Sequence, residues 1–182
     1  MPRYAIHDGS ERYYMTFQVV GWVDIFTRKR YRDIVLESFT FCRNKKGLQL
    51  NAYVVMSNHA HLIAASSLGD LPGVVRDMKA HMAREILASI KHAPESRREW
   101  MLSVFAYAAG GHQRNDNYQL WTHENHPIWM DPMRPEMMEQ RLAYIHNNPV
   151  RAGIVAQPAD YLYSSASNYA GVQSLIEVDV LL

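Results

Sequence analysis

Two histidines stand one residue apart in the apolar stretch MSNHAHLIAA, at positions 59 and 61. This stretch predicts a β-strand over 59–66, after a tight turn at 57–58. Side chains two residues apart on a strand share one face, so we expect His59 and His61 to project together and Ala60 to face the other side. Two imidazoles on one sheet face are suited to share a divalent metal. Structural histidines that are hydrogen-bonded within the fold would show the same spacing.

A second pair of candidate residues lies on a helix predicted over 134–149. Tyr144 and Asn148 in YIHNNP are four residues apart and so share a helical face. Tyrosine can act as a covalent nucleophile, but a phenol is poorly ionised at neutral pH and needs activation or an electrophile polarised by a metal. Because Pro149 follows, we expect the helix to end here, with Asn148 free to reach a metal and Asn147 as a competing ligand. A core tyrosine beside an ordinary helix stop is the alternative.

Together, the two motifs resemble the single-tyrosine transposases of the HUH nuclease class, and most of all the REP-associated tyrosine transposases. In that family a His-hydrophobe-His motif lies on a central strand, and a nucleophilic tyrosine lies on a later helix with Asn or Gln four residues on. Those positions match His59, His61, Tyr144 and Asn148. LWTHENHPI before the helix and PADYLYSSASNYAG after it extend the resemblance to about residues 12–172.

The resemblance implies an enzyme that cleaves single-stranded DNA near a hairpin. Mg²⁺ or Mn²⁺ held by His59, His61 and Asn148 would polarise the scissile phosphate. Tyr144 would then attack, giving a 5′-phosphotyrosine and a free 3′-hydroxyl, and a later 3′-hydroxyl would rejoin the DNA. The expected partner is single-stranded or hairpin DNA, and the expected process is DNA transposition or the processing of repeated palindromic elements. Relatives act as dimers or as monomers, so a homodimer stays open.

Two other functions remain open from the residues alone. A decayed member of this class would bind hairpin nucleic acid without cutting it, although all four candidate residues are intact. A metallohydrolase would combine His59 and His61 with His123 and His126 in a zinc site. Glu124, between the latter two histidines, is a further candidate as a metal or base partner.

The residues predicted to contact DNA are basic and aromatic. The formal net charge is only +1, which is modest for a DNA enzyme, but a local basic patch can hold phosphate even so. One basic cluster comprises Arg28, Lys29, Arg30 and Arg32. We predict that this cluster neutralises DNA phosphates, with a solvated surface as the alternative. Trp121 and Trp129 are candidates for stacking on unpaired bases, although tryptophan is more often buried in the core.

Length and composition indicate one globular domain over residues 1–182. Of the chain, 48% is hydrophobic and 20% is charged, as in ordinary globular proteins. The single cysteine, Cys42, excludes an intrachain disulfide and argues against a cysteine-based zinc site. The sequence shows neither an apolar signal core nor a run of about 18 apolar residues, so we expect a cytoplasmic protein with no membrane partner.

The predicted elements follow the order strand, helix, strand, strand, helix, strand, helix. This is the order of the split βαβ, ferredoxin-like plan, an α+β fold with a central antiparallel sheet and helices on one face, here with a C-terminal catalytic helix added. The strands are predicted at 12–22, 48–57, 59–66 and within 118–130, and the helices at 30–47, 71–92 and 134–149.

Two segments are harder to assign. Residues 93–117 form a possible insertion, in which 100–109 could be a helix or a strand and 110–117 a loop. The tail after the last helix looks irregular and is expected to pack through its tyrosines. Its end, 171–182, is apolar enough for an added strand or a partner contact.

Overall fold

The computed structural model describes residues 5–110 and 117–181. Its sheet has four strands: β1 (Tyr13–Gln18), β2 (Leu48–Val55), β3 (His59–Ser66) and β4 (Ile128–Trp129). They lie in the order β2-β3-β1-β4, and every neighbouring pair is antiparallel. This is the strand order of the ferredoxin-like plan, so the predicted α+β fold is confirmed.

The helices of the described residues are α1 (Lys29–Lys46), α2 (Leu71–His92), α3 (Arg98–Gly110), α4 (Pro135–Arg151) and the short α5 (Ala166–Tyr169). Gly47 ends α1 in the left-handed conformation, with φ 69°. Asp70 caps α2 by accepting a hydrogen bond from the Gly73 amide at 2.9 Å. In the described part of the chain, none of these helices combines the length and the apolar character needed to cross a membrane.

The two faces of the sheet are covered by different helices. The face that carries Phe17 and Tyr53 is buried beneath α1 and α2, with Phe39 packing edge-on against Tyr53. The opposite face carries His61, and α4 lies over it, with Tyr144 packing against that histidine. The sheet therefore separates a hydrophobic core on one side from a polar site on the other.

The β2–β3 hairpin forms as the sequence predicts. The Met56 amide donates to the His59 carbonyl at 2.8 Å, which closes the turn at 57–58. In this register His61 is opposite Val54 of β2 and Thr16 of β1, so His61 lies on a central strand. By contrast, β1 ends earlier than predicted, because residues 20–22 and 25–27 form 3-10 turns.

The predicted end of the helix that carries Tyr144 is wrong. Pro149 lies inside α4, which continues to Arg151, so Asn148 has helical geometry and is not at a helix end. A proline costs an interior helix one hydrogen bond, and here packing compensates because Pro149 is buried. The chain leaves the helix just after Arg151, where Gly153 has a φ of 71° and the Ile154 amide donates to the Pro149 carbonyl at 2.9 Å.

The segments that were hard to assign from the sequence form few β-strands. Within 93–117, α3 confirms the helical alternative, whereas the predicted loop falls largely on 111–116, outside the described residues. Of the strand predicted within 118–130, only β4 and one bridge from Trp121 to Val19 form. The described end of the tail forms no strand, but the Asp179 amide donates to the Leu50 carbonyl at 2.8 Å, beside a bulge in β2.

Candidate active site

A cleft of about 880 Å³ opens on the sheet face beneath α4. We call it the histidine cleft. Strands β1 and β3, the segment 118–127 and helix α4 contribute its lining, which is mainly polar and aromatic: Tyr14, Thr16, Gln18, Trp22, His59, His61, Gln119, Thr122, His123, Glu124, His126 and Tyr144. The structure thus brings three of the predicted site residues, His59, His61 and Tyr144, into one cavity of one chain.

His61 is buried at the base of the cleft and is held by two hydroxyls. Its Nδ1 lies 2.8 Å from the Tyr14 hydroxyl and 2.9 Å from Thr16 Oγ1. Burial, with smaller contributions from His59 and Arg141, lowers the pKa of His61 to about 3, so the ring is neutral near pH 7. Its Nε2 is buried and has no hydrogen-bond partner among the described residues.

His59 is oriented by the residue that precedes it. Its Nδ1 lies 2.7 Å from Asn58 Oδ1, and an amide oxygen only accepts, so Nδ1 carries the proton and Nε2 keeps its lone pair. Burial lowers the pKa of His59 as well. The ring centroids of His59 and His61 are 4.7 Å apart.

This pair has the chemistry of a metal site. Neutral imidazoles are ligands for divalent metals, and a hydrogen bond at Nδ1 commonly orients a ligating histidine. The orphaned Nε2 of His61 is a buried polar atom of the kind that a ligand would satisfy. Asn148, the predicted third ligand, is half-buried one turn beyond Tyr144 on α4 and does not line the cleft.

Tyr144 faces the histidines from α4. Its ring centroid lies 5.3 Å from that of His61 and 6.3 Å from that of Tyr14, and the residue is 36% exposed. The two tyrosines differ in environment, because Tyr14 is buried and desolvation raises its pKa to about 12. Tyr144 is therefore the accessible phenol of the cleft.

Two arginines flank Tyr144 along the same stripe of α4. The Arg141 guanidinium lies over the Tyr14 ring at 5.0 Å, and the Arg151 guanidinium lies 5.7 Å from the Tyr144 ring centroid. Sequence analysis missed both, although spacings of three and seven residues from Tyr144 indicate one helical face. It also missed Tyr14 and Thr16, whose alternation along β1 was the available signal.

The segment 118–127 forms one wall of the cleft, and Lys79 of α2 stabilises it through hydrogen bonds. The half-buried Lys79 amine donates to the Thr122 carbonyl at 3.0 Å and to Asn125 Oδ1 at 2.6 Å, and desolvation lowers its pKa to about 8. The wall carries His123, Glu124 and His126. Even so, in residues 5–110 and 117–181 no group of three or more His, Cys, Asp or Glu side chains is arranged to hold a metal.

The basic cluster at the start of α1 lies outside the cleft and has intramolecular partners. Arg28 and Arg30 pair with the buried carboxylate of Glu95 at 2.8 and 3.1 Å. Lys29 pairs with Asp33, and the Arg32 guanidinium lies over the Tyr163 ring at 4.1 Å. Contact of this cluster with DNA stays a prediction.

The tryptophans suggested for stacking have different environments. Trp121 is buried and stacks on Phe26, as a core residue does. Trp129 is half-exposed, and its Nε1 donates to Glu11 at 3.2 Å. Trp22, which the sequence did not single out, lines the histidine cleft.

Comparison with solved structures supports the fold. A REP-associated tyrosine transposase bound to a REP hairpin matches with a TM-score of 0.61 and 17% sequence identity, over 100% of this chain and 94% of that chain. A crystal structure of a protein from Deinococcus radiodurans, assigned as a transposase, covers 80% of this chain and 97% of that one at 17% identity, with a TM-score of 0.44. No protein-family model and no curated protein matches the sequence. The first likeness shows a shared fold, in agreement with the resemblance in the motifs.

Proposed function

We propose that this protein is a single-tyrosine strand-transfer enzyme of the REP-associated tyrosine transposase kind, which cuts and rejoins single-stranded DNA beside a hairpin. One observation carries the proposal: the Tyr144 ring lies 5.3 Å from the buried, neutral His61 ring in an open cleft. The motifs predicted this meeting across more than 80 residues of sequence. The hairpin DNA on the protein of similar fold supports DNA as the partner.

In the proposed reaction Tyr144 Oη attacks the scissile phosphorus. A bond forms between Oη and phosphorus while the bond from phosphorus to the 3′ oxygen breaks. The phenol gives up its proton, and the leaving 3′ oxygen takes one up, so the products are a 5′-phosphotyrosine and a free 3′-hydroxyl. Attack by another 3′-hydroxyl reverses these steps and rejoins DNA without an energy source, because the phosphodiester bond is exchanged and not lost.

The chain's own residues prepare this step. Asn58 and the hydroxyls of Tyr14 and Thr16 orient the two histidines. His59 and His61 would hold Mg²⁺ or Mn²⁺, with Asn148 as the proposed third ligand. When bound, such a cation supplies Lewis-acid polarisation of the phosphate.

Positive charge on α4 favours an anionic substrate. Arg141 and Arg151 lie on either side of Tyr144 along the helix and contact the aromatic rings of the cleft. Guanidinium groups bind phosphate oxygens with two parallel hydrogen bonds. We propose that these arginines hold the phosphates on either side of the scissile one. Helix α4 would then bind the DNA backbone.

A single chain contains both the histidine pair and the nucleophile. The proposed cleavage therefore needs no residue from a partner, and a homodimer, if it forms, would serve strand exchange between two DNA ends.

The test is covalent adduct formation. The protein is incubated with Mn²⁺ and hairpin-bearing single-stranded oligonucleotides, and adducts are resolved on a denaturing gel. We expect an adduct with the wild type and with Tyr107→Phe, a control at a tyrosine that is 90% exposed on α3. We expect none with Tyr144→Phe or His61→Ala.

Other outcomes identify the rival functions. Hairpin binding by the wild type without any adduct would indicate a non-catalytic binding module. Hydrolysis of a small substrate that survives Tyr144→Phe and disappears in His59→Ala would indicate a metallohydrolase. An adduct that persists in Tyr144→Phe would contradict the proposed nucleophile.

A further inference from the structure

Trp22 is displayed at the cleft in an unusual way. Trp22 is 68% exposed, although tryptophan is normally well buried. It lines the same cleft as His59 and Tyr144. Its backbone φ is 55°, a left-handed conformation that bulky residues rarely adopt. Within the described residues its indole makes no ring contact and no hydrogen bond. Neither core packing nor local backbone preference accounts for a tryptophan here.

The surrounding structure holds Trp22 in this position. Gly21 before it is also left-handed, with φ 62°, and it lies so close to α3 that an added Cβ would be 2.7 Å from Val104 Cγ1. On the other side, Asn58 Nδ2 donates to the Trp22 carbonyl at 3.3 Å, while Asn58 Oδ1 accepts from His59. One amide side chain therefore joins the backbone of Trp22 to a histidine of the site.

We propose that Trp22 is a stacking platform for an unpaired base of the DNA strand, next to the phosphate that Tyr144 attacks. This inference rests on the proposed function and adds a positioning residue to it. Aromatic side chains bind single strands by stacking on the π-face that every base has, so such contacts tolerate different bases. Asn58 links the stacked base to His59, which sets the register of the strand against the catalytic residues.

The experiment pairs a change in the protein with a change in the DNA. The probe is a hairpin oligonucleotide with a single-stranded thymidine flank, in which one abasic site is moved along the flank. Binding is measured in a Tyr144→Phe background, so that no cleavage occurs. Trp22→Ala removes the platform, and Trp22→Phe keeps a smaller ring. Trp100→Ala is the control at a half-exposed tryptophan on α3, outside the cleft.

We expect one abasic position to weaken binding by Tyr144→Phe about tenfold, as loss of a single base stack does. Adding Trp22→Ala should weaken binding to the intact flank about tenfold and abolish the effect of that abasic position. Trp22→Phe should restore part of both, and Trp100→Ala should leave both unchanged. Unchanged melting temperatures would show that the variants fold.

Several results would overturn the inference. They are an abasic penalty that persists in Trp22→Ala, a Trp22→Ala variant that binds the intact flank as tightly as its parent, or a flank in which no base matters. If these occur while the wild type still forms a Tyr144-dependent adduct, the stacking role fails and the proposed function stands. If coupling between Trp22 and one base is found without any adduct, the stacking role stands and catalysis fails. Absence of all hairpin binding would overturn both.

Discussion

At the scale of single residues, Asn58 is the least expected part of the site. Its Oδ1 accepts a hydrogen bond from His59 Nδ1 at 2.7 Å, and its Nδ2 donates to the Trp22 carbonyl at 3.3 Å. It thereby sets which ring nitrogen of His59 carries the lone pair. Asn58 precedes the histidine motif directly, but only the geometry of the hairpin turn shows that its side chain returns to its neighbour's ring.

The first prediction concerns this asparagine. Asn58→Ala should raise the Mn²⁺ concentration needed for half-maximal adduct formation about 10- to 100-fold, the usual cost of losing a partner that orients a metal ligand. Titration of adduct yield against Mn²⁺ measures it. Asn44→Ala, at an exposed position on α1, is the control and should titrate as the wild type does. An unchanged midpoint for Asn58→Ala would show that Asn58 does not orient His59 as a metal ligand.

The second prediction separates the two candidate amide ligands. Asn147 is exposed, and its side chain already donates to the Ala143 carbonyl at 2.9 Å, whereas Asn148 shares the helical face of Tyr144. Asn148→Ala should therefore raise the Mn²⁺ midpoint at least about tenfold, and Asn147→Ala should not. The reverse pattern would assign the third ligand to Asn147.

The relative placement of the candidate residues was predictable where it depends on local periodicity. The alternation in β3 placed His59 and His61 on one face, and the spacing of four in α4 placed Tyr144 beside Asn148. Alternation along β1 could place Tyr14 and Thr16 on one face of that strand, but their contact with His61 was not predictable, because it depends on the register between β1 and β3. Such pairing depends on residues far apart in sequence.

At the scale of elements, a buried carboxylate ties the start of α1 to the connection between α2 and α3. The Glu95 side chain is fully buried and pairs with Arg28 and Arg30. Burial alone would raise the pKa of Glu95, but hydrogen bonds from the Arg97 amide, the Tyr31 hydroxyl and the two arginines outweigh it and lower the pKa to about 2. This stabilisation is present above the unfolded-state pKa and is lost as the pH falls through the folded-state value.

The third prediction follows from that ion pair. Glu95→Gln should lower the free energy of unfolding by about 3 kcal/mol near neutral pH, because it removes a buried carboxylate whose pKa falls to about 2 in the folded state, and with it the charge that Arg28 and Arg30 pair with. The difference from wild type should shrink as the pH falls from about 4.5 to about 2. Denaturant unfolding at several pH values measures both.

A surface pair provides the control for this change. Glu136 pairs with Arg134 at 3.4 Å, and both side chains are more than half exposed. Glu136→Gln should change the free energy of unfolding by no more than about 0.5 kcal/mol. A comparable loss in the two variants, or a pH-independent loss in Glu95→Gln, would contradict the account of the buried pair.

The fourth prediction tests the packing of α3 against the turn that carries Trp22. Gly21 and Gly153 both have positive φ, but an added Cβ meets Val104 only at Gly21 and finds open space at Gly153. Gly153→Ala should lower the free energy of unfolding by about 1 kcal/mol, the cost of the backbone conformation alone. Gly21→Ala should lower the free energy of unfolding further, because steric overlap with Val104 is added. Thermal or denaturant unfolding measures both variants. Equal losses of stability would contradict close packing of Gly21 against α3.

Elements with a clear period and clear caps were predicted well, and those that depend on tertiary contacts were not. The boundaries of α2 and β3 match the prediction, because the helical spacing of apolar residues in 71–92 and the turn at 57–58 are local signals. The end of α4 was wrong because burial of Pro149 outweighs the usual effect of proline on a helix. Only β4 forms a strand in 118–130, where the chain instead follows contacts to Lys79.

At the scale of the whole molecule, the positive charge that matters is local. The formal net charge is only +1, yet two arginines of α4 lie beside the aromatic rings of the cleft. The basic cluster at 28–32, which was prominent in the sequence, largely pairs with acidic and aromatic side chains of the fold. Composition therefore could not locate the surface that would contact DNA.

The central claim is that Tyr144 is the nucleophile, and Tyr14 is the residue that tests it most severely. Both rings contact His61, but Tyr14 is buried with a raised pKa, whereas Tyr144 is accessible. The most direct measurement is protease digestion of the trapped protein–DNA adduct, with mass spectrometry to locate the modified tyrosine. We predict a nucleotide-modified peptide that contains Tyr144 and an unmodified peptide that contains Tyr14. Attachment at Tyr14 or at any other residue would contradict the account.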